Sequence, residues 1–511
     1  MCASRKINLN ALKNIIALDA AGCGFQKTMG EHKPGVAAQA RSGQRRRPGK
    51  LPILAVTIAA AAIMGTAGRS AADTLLSALS QAYQVNPQLN AQRAILRQTD
   101  EAVPQALSGY RPSVKVNAGA GKQITSQDTI VAPGRVQKDW WPTTPSSVGI
   151  DVQQTLFNGF QTANQTRAAE SNVFAARETL RVIEQTVLLD AAIVYMDVVR
   201  DTAILEVQRS NVRVLGEILQ QTRARFKLQE VTRTDVAQAE AQLAAGQSQM
   251  LGADSNLTTS KAAYHRVIGS EPGRLEPGSP VDRLSPHTLA AAIETGMTSN
   301  PSVMAASYGA DVAQLQVKIA EGALYPTVTL QGSAQYLHDV QFTGLIPAQS
   351  SATALITVSI PLYQGGSEYS AIRQSKETLA QRRLDLATTR DKARATVVQI
   401  WGEIQAAKAQ VQAAQEQVRA AEVALNGVRT EARLGLRTTL DVLIDQQASI
   451  NAQVNLVTAQ HDRVVGSYKL LSAVGRLSPH VLGLPASIYD PMVHYQQVRD
   501  AWAGVRTPDG Q

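Results

Sequence analysis

The feature that most constrains this chain is a proline-free stretch from Gly366 to Val474, in which apolar residues repeat every seven positions. Two rows of this repeat, offset by three positions, are Val397, Ile404, Val411, Val418 and Leu425, and Ile400, Ala407, Ala414, Ala421 and Val428. A seam of this kind is typical of helices that pack along a neighbour as a coiled coil. The pattern breaks near Gly435, which suits the left-handed end of a helix, and resumes from Leu440. We therefore predict a long helix, a tight turn and a returning helix.

The same helical hairpin occurs earlier in the chain. Residues 146–271 contain no proline, and an apolar seven-residue repeat is formed by Ala191, Val198, Leu205, Val212, Leu219 and Phe226. Short motifs flank both copies in the same order. The matched pairs are Asn86-Pro87 with Asn300-Pro301, Tyr110-Arg111-Pro112 with Tyr325-Pro326, Leu156-Phe157-Asn158-Gly159 with Leu362-Tyr363-Gln364-Gly365, Thr234-Asp235-Val236 with Leu440-Asp441-Val442, and Val267-Ile268-Gly269 with Ala473-Val474-Gly475. The chain is thus predicted to contain two copies of a unit of roughly 200 residues.

Short strands precede each long hairpin. Apolar residues alternate with polar residues or glycine in four segments, which are residues 113–125, 146–157, 326–337 and 352–363. This alternation is typical of strands with one apolar face. Polar segments, residues 126–145 and 338–351, separate the strands of each pair.

These elements divide the chain into two structural repeats. We predict a first repeat over residues 73–268 with a long hairpin at 159–268, a linker at 269–286, a second repeat over 287–475 with a long hairpin at 366–474, and a C-terminal tail at 476–511. The Asn-Pro motifs are expected to cap and start helices, the first of them ending near Gly109.

The formal net charge of +9 is concentrated at the N-terminus. Residues 1–72 hold eleven of the 50 basic residues and two of the 41 acidic residues, which leaves 39 of each from Asp73 onward. The rest of the chain is therefore neutral, and its charge gives no reason to predict binding to nucleic acid.

The N-terminal segment has the pattern of a secretory signal peptide. A basic cluster precedes an apolar run from Leu51 to Ala67, and small residues follow it. The run could instead be a single membrane anchor, and translation could begin later, for instance at Met29. Both cysteines, Cys2 and Cys23, lie in this segment, so the exported protein is expected to contain no disulfide.

Beyond Ala72 no apolar run is long enough for a spanning helix. If the chain crosses a membrane, we expect it to do so as a β-barrel. Four strands cannot close a barrel, whereas three copies would supply twelve. The predicted fold is therefore mainly α: a long antiparallel coiled coil forming an α-barrel, plus four strands per protomer that complete a twelve-stranded transmembrane β-barrel in a trimer.

Few residues suggest a chemical site. The histidines are scattered without metal-ligand spacing, and there is no Gly-rich phosphate loop. We predict no catalytic residues, no metal and no cofactor, and hence no enzyme. Trp140 and Trp141 fit either ordinary packing or an aromatic belt at a membrane interface.

The doubled order of helix start, strand pair and long hairpin resembles the TolC family of outer-membrane efflux and type I secretion channels. The resemblance covers nearly all of residues 73–490. It implies a homotrimer in outer-membrane lipid that extends into the periplasm and docks with a periplasmic adaptor (membrane fusion) protein and an inner-membrane pump or ABC transporter. It also implies export of drugs, toxic compounds or proteins, the cargo and the kind of inner-membrane partner being left open.

The resemblance further implies a periplasmic gate at the hairpin tips. In the family an arginine and a tyrosine of the second hairpin bond a Thr-Asp pair of the first, and aspartate rings line the constriction. Thr234 and Asp235 match the Thr-Asp pair, Arg437 matches the arginine, and Asp441 matches the first ring aspartate. From the residues alone, solvated turn charges are the favoured interpretation, and only the match to the family pattern favours the gate.

Two positions depart from the family pattern. The tyrosine is replaced by Ala432 and the second aspartate by Ile444, with Asp445 following it. The tips are also candidates for adaptor docking. The residues concerned are Lys227, Leu228 and Gln229 in the first tip and Arg433, Leu434 and Gly435 in the second.

The competing prediction is a periplasmic coiled-coil adaptor or structural spacer without a pore. An adaptor usually carries one hairpin, whereas this chain has two, each flanked by amphipathic strands at matched positions. We therefore favour the channel.

Overall fold

A computed structural model describes residues 73–339 and 348–508. The predicted leader over residues 1–72, with both cysteines, lies outside the described residues, as does most of the predicted polar segment at 338–351. The helices are α1 (Leu75–Val85), α2 (Pro87–Asp100), α3 (Ala102–Leu107), α4 (Gln161–Lys227), α5 (Arg233–Ile268), α6 (Leu289–Ser299), α7 (Pro301–Gly322), α8 (Ser367–Arg433), α9 (Thr439–Ala473), α10 (Pro479–Leu482) and α11 (Pro491–Val498). The strands are β1 (Ser113–Ala120), β2 (Gln123–Ala132), β3 (Arg135–Thr143), β4 (Ser146–Asn158), β5 (Thr327–His338) and β6 (Ala348–Ser359).

The two predicted helical hairpins are confirmed. Helices α4 and α8 each contain 67 residues, which at 1.5 Å per residue is about 100 Å. Each returns through a shorter helix, α5 or α9, of 36 and 35 residues. Helix α9 also packs on α4, and α7 lies against both α4 and α8, so the two repeats share one helical layer.

The predicted Asn-Pro helix starts are present. The Asn86 side chain accepts hydrogen bonds from the backbone of Gln88 at 2.9 Å and of Leu89 at 3.3 Å. The Asn300 side chain caps α7 in the same way, accepting from the Ser302 amide at 2.9 Å. These bonds satisfy amide groups that have no partner within a helix.

The prediction of one helix from Pro87 to near Gly109 was wrong, because the helix divides at Glu101 into α2 and α3. Pro104 lies in the first turn of α3. It has no amide to donate to the Asp100 carbonyl, and its ring crowds that carbonyl. A break one turn before the proline avoids both problems.

Four strands form one antiparallel sheet in the order β1-β4-β5-β6. The register places Val116 opposite Ile150, Ile150 opposite Ala334, and Ala334 opposite Ala352. One face therefore carries mostly apolar side chains, among them Val114, Val116, Val148, Ile150, Val152, Leu330, Ala334, Tyr336, Ala352, Ala354, Ile356 and Val358. The other face is mainly polar, with Lys115, Asn117, Asp151, Gln153, Gln331, Ser333, Gln335, Thr353 and Thr357. The predicted alternation thus separates the two faces of one sheet.

The strand predicted at 113–125 is interrupted, which corrects that prediction. It ends at Ala120, and residues 123–143 form a separate hairpin of β2 and β3. The pairing of β1 with β4 stops at Ser146, which follows Pro145. A proline has no amide with which to continue a ladder, so the two strands separate beyond the bond from the Gly121 amide to the Pro145 carbonyl at 3.0 Å. The predicted strand at 352–363 is likewise shifted, since β6 runs from Ala348 to Ser359.

The segment predicted as a C-terminal tail is packed against the first repeat. We call residues 476–508 the C-terminal strap. Leu477 and Leu484 are buried in the main apolar core, and the Tyr489 amide donates to the Tyr83 hydroxyl at 3.2 Å. The guanidinium of Arg93 lies 4.5 Å from the Tyr83 ring centre and 5.3 Å from that of Tyr489. The strap thus carries core residues despite its prolines.

A buried contact between a histidine and a carboxyl group fixes the strap to α2. Nδ1 of His494 lies 3.0 Å from the Asp100 carboxylate. Asp100 is fully buried and His494 is 8% exposed. Burial raises the pKa of Asp100, and the contact with His494 partly offsets that effect. The contact with His494 therefore offsets part of the free-energy cost of keeping the Asp100 carboxyl group away from water.

We expect His494→Ala to release the strap. The change leaves Asp100 buried without its partner, a situation that costs about 3–5 kcal/mol. Limited proteolysis should then cleave within residues 476–508 much faster than in the wild type. The double variant Asp100→Asn with His494→Ala removes the stranded charge and should recover part of the resistance. Equal cleavage of His494→Ala and wild type would contradict this role.

A second buried histidine joins the two repeats. His461 on α9 places Nε2 3.0 Å from Asp197 of α4 and Nδ1 2.9 Å from Asp462. Arg200 bonds Asp197 at 2.9 Å and Asp201 at 2.8 Å. Burial alone would lower the pKa of His461, but the two neighbouring carboxylates outweigh it and raise the pKa. The folded chain therefore holds the proton of His461 more tightly than an unfolded chain does.

The stabilisation from His461 should depend on pH. A pKa raised in the folded state means that the stabilisation is complete below the ordinary histidine pKa of about 6.5. It is lost as the pH rises through the higher folded value. Thermal unfolding of wild type and His461→Gln should therefore differ most in acid and converge in mild alkali. A constant difference across that range would show that the protonation of His461 plays no part.

Candidate functional site: the hairpin tips

Both long hairpins reverse direction through the same backbone motif. In the first tip the Glu230 amide donates to the Arg225 carbonyl at 2.9 Å, and in the second the Leu436 amide donates to the Glu431 carbonyl at 2.9 Å. This pattern ends a helix with one residue in the left-handed conformation. That residue is Gly435 with φ of 80° in the second tip, whereas the first tip has Gln229 with φ of 63°.

We expect Gln229→Gly to stabilise the first tip. A residue with a Cβ in the left-handed conformation costs about 1–2 kcal/mol, and glycine removes that cost. Hydrogen exchange at the tip amides should become slower. The matched control is Gly435→Gln, which should make exchange faster at the second tip. Unchanged exchange in both variants would show that the left-handed conformation is not costly here.

Each returning helix begins with a reciprocal capping box. The Asp235 carboxylate accepts from the Thr232 amide at 2.8 Å and from its hydroxyl at 2.7 Å. The Asp441 carboxylate accepts from the Thr438 amide and hydroxyl, both at 2.9 Å. These bonds lower the pKa of both aspartates. The two residues predicted for the gate are therefore charged at neutral pH, and each already serves its own helix start.

Arg437 is bound within its own tip. Its Nε lies 2.9 Å from the Glu431 carboxylate. The first tip has a comparable pair, Arg225 with Glu230 at 3.1 Å. In the part of the chain that the structure describes, no ion pair joins Arg437 to Asp235, and Thr234 makes no side-chain hydrogen bond. Within one chain, Arg437 is therefore not bonded to the predicted gate pair, Thr234 and Asp235.

Sequence reasoning missed Glu431, Arg225 and Glu230. A signal was available, because each tip has opposite charges five or six residues apart on the two sides of the turn. The turn geometry that brings them together is visible in the structure alone.

A cleft of about 470 Å³ separates the two tips. Ala432, the position of the family tyrosine, lines it together with Arg225, Arg429 and Arg433. The Arg429 guanidinium donates to the Gln446 side chain at 2.7 Å. The small side chain of Ala432 thus leaves the cleft open between the two tips. Arginine side chains line the walls of this cleft.

The predicted docking residues are at the surface. Leu228 and Leu434, at the ends of α4 and α8, are exposed, and so is Leu436, which the sequence analysis did not include. Lys227, Gln229, Arg433 and Gly435 flank them and are exposed as well. Each tip therefore presents an apolar side chain beside a basic one.

Trp140 and Trp141 lie on β3 of the separate hairpin, both exposed. Neighbouring residues of a strand point to opposite faces, so the two rings are on opposite sides of the hairpin. Neither ring is in the buried core, and their predicted role at a membrane interface remains a prediction.

Residues 73–339 and 348–508 lack two kinds of feature. Among these residues, no helix combines the length and apolar character that a membrane span requires. No group of three histidine, cysteine, aspartate or glutamate side chains in the same ranges is placed to hold a metal ion.

Comparison with known proteins identifies the family. The model of the outer membrane efflux protein family matches residues 78–270 and 293–476. The outer membrane efflux protein BepC of Brucella suis is 39% identical over 90% of this chain and 98% of its own length. The outer membrane protein TolC of Vibrio cholerae is 26% identical, over 80% of this chain and 92% of its own.

A solved structure has the same fold as this chain. The CmeC outer membrane channel of Campylobacter jejuni superposes with a TM-score of 0.71 at 15% identity, covering 83% of this chain and 89% of its own. These matches confirm the predicted family and favour a channel over a spacer without a pore. The family is one of transport channels. The chain therefore belongs to the family of outer membrane efflux proteins and is a channel protein of the outer membrane.

Proposed function

We propose that this channel works as a homotrimer in which the sheets of three protomers join edge to edge. The observation that carries the proposal is the four-stranded sheet. Its outer strands, β1 and β6, each have one neighbour in the described structure, so each leaves a row of backbone groups unpaired. Pairing β6 of one protomer with β1 of the next satisfies those groups and closes twelve strands into one sheet.

The two faces of the sheet support this arrangement. The apolar face, which includes exposed Val116, Ile150 and Ile356, suits contact with lipid. The opposite face, with Lys115, Asp151 and Gln331, suits a water-filled interior. The long hairpins continue from this sheet and would extend the passage into the periplasm.

We further propose that the tips form a periplasmic gate from Thr234, Asp235, Arg437 and Asp441. Three copies of Asp441 around one axis would attract cations and repel each other. Within each chain, the hydrogen bonds from Thr438 lower the pKa of Asp441 and favour its charged form. Arg437 would close the gate by exchanging its Glu431 contact for the Asp235 of a neighbouring hairpin, since both are carboxylates at the tips.

The exposed tips are the proposed site for a periplasmic adaptor. Lys227, Leu228 and Gln229 form one docking surface, and Arg433, Leu434 and Gly435 form the other. Because Gln229 occupies the place of Gly435, the two surfaces differ in shape. An inner-membrane pump or ABC transporter would supply the energy, and drugs, toxic compounds or proteins would be the cargo.

Mass measurement and bilayer recording together test the trimeric channel. Protein extracted from outer membranes with detergent should have the mass of three chains. The same preparation should give small, cation-selective conductance steps in a planar bilayer. A monomer without conductance, recovered from the soluble periplasmic fraction, would overturn the proposal.

A further inference from the structure

The helical end of the sheet is marked by aromatic side chains at all four junctions between strand and helix. Tyr110 precedes β1, Phe160 follows β4, Tyr325 precedes β5 and Tyr363 follows β6. Their exposed fractions are 49%, 63%, 52% and 75%. Exposed aromatic rings at the edge of an apolar sheet face are typical of the boundary between lipid and water. These residues therefore locate one boundary of the membrane on this chain.

The C-terminal strap extends to the same end of the sheet as these four aromatic residues. Beyond α11, Arg499 lies 3.8 Å from Glu170 near the start of α4. The Arg111 guanidinium then donates to the Ala501 carbonyl at 2.7 Å. Arg111 is two residues before the first residue of β1. The strap thus reaches the point at which the sheet begins.

At that point, one face of the Trp502 ring is in contact with Arg111. The Arg111 guanidinium lies 4.6 Å from the ring centre, in a cation–π contact. The ring is nonetheless 73% exposed, and Val505 beside it is fully exposed. This tryptophan is fixed in position but remains exposed. Such a side chain suits an environment that contacts its apolar ring and also accepts a hydrogen bond from its indole N–H.

We propose that residues 499–506 of the strap anchor the protein in the periplasmic leaflet, with Trp502 among the phospholipid headgroups. Arg111 contacts the ring, and Arg499 and Arg506 flank Trp502 in the sequence, with Asp500 as the one acidic residue between them. The excess of positive charge suits lipid phosphates. Trp502 would add to the aromatic boundary a residue from the opposite end of the chain. This inference rests on the proposed function, because it requires the sheet to span the membrane.

Fluorescence quenching by lipid tests the anchor. The chain has four tryptophans, at positions 140, 141, 401 and 502. The variant Trp140→Phe, Trp141→Phe, Trp401→Phe retains Trp502 alone, and the matched control retains Trp401 alone. Trp401 lies on α8 about 50 Å from the start of that helix. Both proteins are reconstituted in vesicles of phosphatidylcholine brominated at different depths.

We expect Trp502 to be quenched most by bromines near the headgroup and Trp401 to be unaffected. Quenching of Trp502 by aqueous iodide instead, without quenching by brominated lipid, would place the ring in water and overturn the proposal. Resistance to both quenchers would place it against another protein surface and would also overturn it. Conductance of the same vesicles shows whether the channel has inserted, so failure of the anchor is distinguishable from failure of the channel.

A second variant tests the contact that holds the ring. Adding Arg111→Gln to the Trp502-only protein removes the cation but leaves a polar side chain. Quenching by headgroup bromines should fall, and access of iodide should rise. Unchanged quenching in this variant would show that Arg111 does not position the anchor.

Discussion

Replacing Arg437 with alanine is expected to raise the single-channel conductance several-fold. In each protomer Arg437 is exposed and bound to Glu431, with the carboxylates of Asp441 and Asp445 also acting on its charge. In the proposed trimer this arginine is the cation closest to the acidic ring. Its removal leaves three sets of carboxylates that repel one another across the axis, so the tips should move apart and the passage should widen.

Two control variants separate the possible contacts of Arg437. Glu431→Gln keeps the arginine but removes its partner within the tip. If Arg437 closes the gate through Asp235 of a neighbour, this variant should stay closed, whereas opening would mean that Glu431 itself holds the tip. Arg225→Ala removes the corresponding pair with Glu230 in the first tip and should change conductance less.

Planar-bilayer recordings of the wild type and the three variants decide between these outcomes. Reconstitution at the same protein-to-lipid ratio allows single-channel steps to be compared. Equal conductance in wild type and Arg437→Ala would remove Arg437 from the gate. The channel itself would be unaffected by that result, because all four proteins would still conduct.

The parts of the fold that were predicted correctly depend on local patterns. The seven-residue repeats and the Asn-Pro helix starts are readable because helix contacts and caps involve residues close in sequence. The alternating strands are readable for the same reason, and their register follows from keeping the apolar residues on one face. The doubled order of these patterns then indicated the family.

Of the two parts that were missed, the strap depends on contacts between distant residues. The strap appeared to be a tail because its prolines interrupt any helical pattern, yet Leu477 fills the core and His494 meets Asp100 across the chain. The hairpin of β2 and β3 was missed because polar strands without a buried face show no alternation of apolar residues. The contacts of the strap are not visible in a short window of sequence, whereas the β2–β3 hairpin is local and has Pro133 and Gly134 at its turn.

At the tips, sequence and structure emphasise different properties of the same residues. The resemblance predicts Asp235 and Asp441 as gate residues from their positions. The structure adds that both carboxylates accept hydrogen bonds from their own capping threonines. A variant that deletes either side chain therefore removes a charge and a helix cap together, and the two effects must be separated by design.

Asp441→Asn is expected to abolish most of the cation selectivity of the channel while leaving the tip folded. The asparagine side chain keeps an oxygen that can accept from the Thr438 amide, as Asp441 does at 2.9 Å, so the helix start is preserved. The substitution removes one negative charge from each of the three protomers around the proposed axis. Asp441→Ala should lose selectivity too, but it also removes the cap, and its tip amides should exchange faster than those of Asp441→Asn.

The reversal potential in a salt gradient measures this selectivity directly. The comparison variant is Asp235→Asn, which removes the same charge from the equivalent capping box of the first tip. Because Asp235 is the proposed partner of Arg437, this variant should raise the conductance but alter the reversal potential less. The lowered pKa of Asp441 adds a second expectation. Selectivity of the wild type should persist as the pH falls toward the ordinary aspartate pKa of about 3.9, and acidification through the lowered pKa of Asp441 should remove it. A reversal potential that is unchanged in Asp441→Asn would show that cations are selected elsewhere along the passage, and the polar face of the sheet around Asp151 would then be the next place to remove a charge.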